Sequence, residues 1–231
     1  MSKKARTVAM AVAAVLAGVS LQAAPLPGFA LKAQTEHFSF YSRDNAKVEA
    51  DKAEKFLGEV QNLLGSRFSG KAEYYRYQNP QELAAGTGTY AAGITYPRSG
   101  QIHSTESFHA HEIVHLVAGQ LGNPGTFFQE GLAVAIGNQA KWQGKDVNKL
   151  AKGLAKGVSV SMLVASFDRM DTDTSYALAG SFVASLIKTH GVAKVADFFR
   201  ACSSKTPTSQ AFAATFGQTM DEAGASWLAT L

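Results

Sequence analysis

Residues 36–41 alternate polar and apolar side chains with a two-residue period, which predicts a β-strand carrying Phe38 and Phe40 on one face. The period then lengthens. Val48, Phe56, Leu57, Val60, Leu63 and Leu64 recur mostly at three- or four-residue intervals, predicting a helix from Asp44-Asn45 to Gly65 with one face on the sheet. Tyr74, Tyr75 and Tyr77 mark a second strand, Asn79-Pro80 breaks it, and residues 81–85 predict a short helix ended by Gly86. Residues 91–102 predict a β-hairpin turning at Pro97-Arg98-Ser99-Gly100. Its strand offers an edge on which an extended peptide can pair its backbone. Tyr96 and His103 have two placements open to them, facing such a cleft or sitting half-buried in the strands.

From residue 104 the period is helical up to residue 121, and the turn cluster Gly122-Asn123-Pro124-Gly125 stops it. Thr126 is placed to cap a second helix over residues 127–138. Helices are expected over residues 146–156 and 176–189, the first with a solvated lysine face. Residues 161–167 form an apolar segment expected to pack beneath the earlier helices, and 168–174 a polar loop or helix start.

Composition changes this picture at the front of the chain. Lys3, Lys4 and Arg6 precede an uncharged apolar stretch over residues 8–21, and Gln22-Ala23-Ala24 offers small residues to a signal peptidase. Residues 1–24 therefore predict a cleaved export signal, too short in its apolar part for the ~20 residues of a spanning helix. The expected location is periplasmic or secreted, with residues 25–231 as one domain and no membrane span after cleavage. Three of the 22 basic residues leave with the signal, so 19 remain against 18 acidic ones. That balance gives no basic stripe for nucleic acid. Cys202 is the only cysteine, so no disulfide forms within the chain and the core must hold the fold.

The chemistry concentrates at His111-Glu112-Ile113-Val114-His115. Residues four apart share a helix face, so His111 and His115 can aim two imidazoles at one zinc ion. Glu112, turned about 100° away, can reach a water there and serve as general base. A catalytic zinc takes three protein ligands and keeps a fourth position open. Glu130, near the start of the next helix, is the candidate third ligand, because a short connection lays the two helices side by side. Phe127, Phe128, Leu132, Val134 and Ile136 leave that helix apolar on most sides, where a lone carboxylate is costly without a cation. The competing reading of Glu130 is an acid stabilised at a helix start. Tyr176, at the front of an otherwise apolar helix, has two readings open to it, a donor to the oxyanion such a hydrolysis develops or a core tyrosine with its hydroxyl satisfied elsewhere. His109 is expected to turn away from the metal side.

His111-Glu112-x-x-His115, followed by Phe127-Phe128-Gln129-Glu130-Gly131-Leu132-Ala133, resembles the gluzincin metallopeptidases of the peptidase MA-like type. The likeness runs over residues 111–231 and includes Tyr176-Ala177-Leu178-Ala179-Gly180. Metzincins are dissimilar, since Ala118 and Leu121 stand where those need glycine and histidine. Phe127 and Phe128 replace a tryptophan common before the third ligand in the group. The resemblance implies an α+β, zincin-like fold with a small mixed β-sheet, the active-site helix and a mostly helical C-terminal part. It also implies Zn2+ on His111, His115 and Glu130, with Glu112 as base acting on a peptide or protein substrate. Two alternatives stay open: a non-catalytic zinc-stabilised peptide-binding protein, and a zinc amide hydrolase acting on cell-wall material.

Overall fold

The computed structural model describes residues 25–155, 157–202 and 205–231, and the export signal expected over residues 1–24 lies outside them. The fold is α+β. Strands β1 (Ala30–Gln34), β2 (Phe38–Ser42), β3 (Ala72–Arg76), β4 (Gly93–Tyr96) and β5 (Gln101–Ser104) form one mixed sheet in the order β1-β2-β3-β5-β4. β2, β3 and β5 run parallel, and the two edges β1 and β4 run antiparallel to their neighbours. Helix α1 (Ala50–Leu64) makes the crossover from β2 to β3, and α2 (Pro80–Thr87) leads out of β3 on the other side.

Every residue of β2 is buried, because both faces of the sheet are covered. Phe38, Phe40, Tyr74 and Ile102 point into the main core with Leu57, Val60 and Leu64 of α1. Tyr41, Tyr75 and Tyr77 point the opposite way, into a smaller aromatic cluster closed by Phe29 and Leu83. Two-residue alternation sets this division.

Several boundaries differ from the sequence expectation, each for a local reason. Asp44 accepts from the Ala46 amide and the Ser42 hydroxyl, so the chain turns there and α1 waits until Ala50. α2 passes Gly86 and ends at Gly88, which adopts φ 79°. Helix α3, which carries His111 and His115, is shorter than expected, Ala110–Ala118, because Ser104 still pairs in the sheet opposite Arg76. The Ser104 hydroxyl then accepts from the Glu106 amide and turns the chain toward the helix.

The second half is helical: α4 (Thr126–Ile136), α5 (Val147–Leu154), α6 (Val160–Ser166), a 3-10 turn at Phe167–Arg169, α7 (Thr172–His190), α8 (Val192–Ala201), α9 (Thr208–Phe216) and α10 (Met220–Leu228). Asp146, Ser159 and Asp171 cap α5, α6 and α7 with their side chains. Between α4 and α5 lies a two-stranded hairpin, β6 (Lys141–Trp142) and β7 (Lys145–Asp146). Gln143 and Gly144 at its tip both have positive φ, as a two-residue hairpin turn of primed type needs. The main core runs without a break from β2 through α4 and α7 to Trp227 of α10. No helix among the described residues is long and apolar enough to cross a membrane.

Candidate metal centre

α3 and α4 lie against each other, joined by residues 119–125, and this places three ligand atoms at one point. His111 Nε2 stands 3.0 Å from Glu130 Oε2 and 3.1 Å from His115 Nε2, and His115 Nε2 stands 3.3 Å from the same carboxylate oxygen. Four tetrahedral ligands at zinc distances of about 2.0–2.1 Å sit roughly 3.3–3.4 Å apart. The triangle of donors is close to that size and of the right chemistry, two imidazoles and one carboxylate.

Close backbone approach makes the triangle possible. A Cβ on Gly131 would stand 2.7 Å from the Ala179 carbonyl, and one on Gly137 would stand 2.7 Å from His111 Cα. α4 is thus pressed between α3 and α7 at positions where only hydrogen fits. Gly125, at φ 97°, supplies the turn before α4, so Thr126 is the first residue inside the helix rather than its cap. Glu130 accordingly sits in the second turn, level with the histidines.

Charge and burial reinforce one another here. Burial alone raises the Glu130 carboxyl, but the His115 charge and hydrogen bonds from both histidines hold it well below the usual carboxylate range. Burial opposes protonation of His115, yet Glu130 outweighs it and raises the imidazole above its ordinary value.

Glu112 is buried beside the triangle and is held by Thr95, whose hydroxyl lies 2.7 Å from its Oε2 and 3.0 Å from its carbonyl oxygen. Thr95 is on β4, whose alternation turns it toward α3 and turns Ile94 and Tyr96 to the opposite face. His103, opposite Ile94, shares that far face, stacked on Tyr75 at 5.2 Å and hydrogen-bonded to the Tyr77 hydroxyl at 2.9 Å. Of the two placements open to them, His103 takes the buried one, and neither ring is among the groups that line the metal-side cleft. His103 belongs to the aromatic cluster, and Tyr96 packs edge-on to it and borders a neighbouring cavity.

Tyr176 does line the metal-side cavity, a cleft of about 410 Å³ that also holds Glu112, both histidines and Glu130. Its ring is stacked on that of His111, centroids 6.2 Å apart. Burial, and then the Glu130 carboxylate, push its hydroxyl far above the ordinary tyrosine range, so it stays a protonated donor. The hairpin β6-β7 fixes it from outside: Trp142 packs on Tyr176 at 4.5 Å and donates from its indole nitrogen to Asp173. His109 precedes α3 and hydrogen-bonds to the Ser104 hydroxyl at 2.8 Å, and burial lowers its pKa.

No protein-family model matches this chain, and no curated protein does. The site therefore speaks through its own residues. Sequence reading missed Thr95 and Trp142. The signal for Thr95 was present in the strand alternation, which sets it on the face opposite Ile94 and Tyr96; none marked Trp142, whose hairpin is two residues per strand.

Proposed function

We propose that the chain is an exported zinc metallopeptidase of gluzincin type, with a zincin-like arrangement of the sheet and of helices α3 and α4. The observation that carries this reading is the triangle of His111 Nε2, His115 Nε2 and Glu130 Oε2 beside a buried, anchored Glu112 in an open cleft. These donors would hold the ion, which when bound supplies Lewis acidity and lowers the pKa of water toward ~7.

The residues then divide the work. Glu112 accepts the proton of the attacking water and passes it to the leaving amine. The Tyr176 hydroxyl donates to the oxygen that becomes negative as the carbonyl is attacked. β4 presents the substrate edge: Ala92 accepts from Thr105, so by antiparallel alternation Ile94 and Tyr96 bond to β5 while the peptide groups of Gly93 and Thr95 point outward. An extended peptide pairing there lies over Glu112.

Glu112→Gln tests the reading. The variant is expected to bind zinc as the wild type does and to cleave peptides at least ~100-fold more slowly. Full activity in the variant removes Glu112 from the reaction. Zinc binding by the wild type with no cleavage of any peptide in a broad library points instead to the zinc-stabilised peptide-binding protein.

A further inference from the structure

A second cavity, of about 750 Å³, adjoins the metal cleft and shares Thr95, Pro97, Asn123 and Gln129 with it as walls. It extends from the far end of β4 over the turn at residues 97–100. Its remaining walls are neutral except for Arg98, and no aspartate or glutamate lines it. Arg98 is exposed on the turn and makes no ion pair among the described residues, as is also true of Arg67 and Arg169, but it alone of these three borders the cavity.

The wall that carries Arg98 is fixed. Gln120 donates to the Pro97 carbonyl at 3.1 Å, and Gly119 lets the Pro97 ring lie directly on the end of α3, where a Cβ would collide with it. Gln129 in turn donates to the Gly122 carbonyl, holding the opposite wall. The cavity is thus preformed, and its one charge has no counter-ion.

Strand direction places this cavity along a bound peptide. A substrate pairing antiparallel to β4 runs with its N-terminal side toward Tyr96 and Arg98. Thr95 stands at Glu112, and at about 3.3 Å per residue Arg98 lies roughly two to four residues from the scissile bond.

We propose, resting on the peptidase reading above, that this cavity sets specificity by taking an aspartate or glutamate side chain two to four residues N-terminal to the cleaved bond, with Arg98 as counter-ion. Arg98 suits this because its planar guanidinium can hold a carboxylate through two parallel hydrogen bonds.

The test uses the zinc-loaded full chain and end-blocked decapeptide sets in which each position carries Glu, Gln or Lys in turn. Glu is expected to be favoured over Gln by about 5-fold at one position two to four residues before the cut, less at high salt. Arg98→Gln should bring the Glu/Gln ratio to about one, and Arg98→Glu should turn the preference toward Lys. Cleavage without a Glu preference there, or a preference unchanged in Arg98→Gln, overturns the inference and leaves the peptidase reading standing. Binding of the same peptides to zinc-loaded Glu112→Gln protein separates the two claims. Glu-selective binding through Arg98 alongside a wild type that cuts nothing keeps the acidic site and removes the peptidase.

Discussion

The Thr95 hydroxyl lies 2.7 Å from Oε2 of Glu112 and 3.0 Å from the Glu112 carbonyl oxygen, tying the sheet edge to the first turn of α3. One side chain thus fixes both the proposed base and the strand proposed to pair with substrate. A hydroxyl donating to a carboxylate also holds that carboxylate in one rotamer, which proton transfer over a short path requires.

Thr95→Val keeps the shape of the side chain and removes the donor. Hydrogen bonds to charged groups contribute about 1.5–3 kcal/mol, so kcat should fall roughly 10- to 100-fold with zinc content unchanged. KM should move less than kcat. A variant with unaltered kcat shows that Thr95 only supports the strand.

Gly93→Ala acts on the same base from the other side. An added Cβ would stand 2.6 Å from Glu112 Oε1 and 2.6 Å from His109 Nδ1, so one or both must shift. Activity should fall by about 10-fold or more, since a displacement near 1 Å at a reacting group can cost about 100-fold. The fold should survive, because β4 is an edge strand; circular dichroism and peptide turnover, measured together, check both halves. Turnover equal to wild type would show that Glu112 tolerates the displacement.

His103 makes the stability pH-dependent away from the metal. Burial pushes its pKa down to about 4, against 6.5 when exposed. The unfolded chain therefore takes up a proton that the folded chain refuses, and stability is lost as pH falls from about 6.5 toward 4. The full difference corresponds to about 3 kcal/mol. Denaturant titrations from pH 7 to 4.5 should show this decline, and His103→Gln should flatten it while starting lower at pH 7, having lost its contact with Tyr77. An identical slope in the variant assigns the acid sensitivity to other groups.

Much of the site was legible because it depends on local rules. The four-residue spacing of His111 and His115 is a property of one helix, and a connection as short as residues 119–125 leaves α4 few places other than beside α3. The sides of the sheet were less legible: an alternating strand shows that Thr95 and Tyr96 face opposite ways, but only the pairing of β4 with β5 and the position of α3 decide which faces the candidate site. His103 was open to misplacement for the same reason, being polar and close in sequence to α3, yet its buried side is the aromatic one. Gly131 and Gly137 gave no local signal either, since their role is the approach of α4 to α7 and to His111. β1, at the sheet edge, and the separate two-residue strands β6 and β7 are defined by their pairing rather than by composition.

The central claim is that His111, His115 and Glu130 hold one zinc ion, and metal content tests it most directly. Elemental analysis of the purified wild type and of Glu130→Ala, each exposed to stoichiometric zinc and dialysed near pH 7, should give about one zinc per wild-type chain and far less in the variant, because three protein ligands make such a site. Affinity should also weaken as pH falls, since protons compete for the imidazoles. Equal zinc in the two proteins would contradict the account.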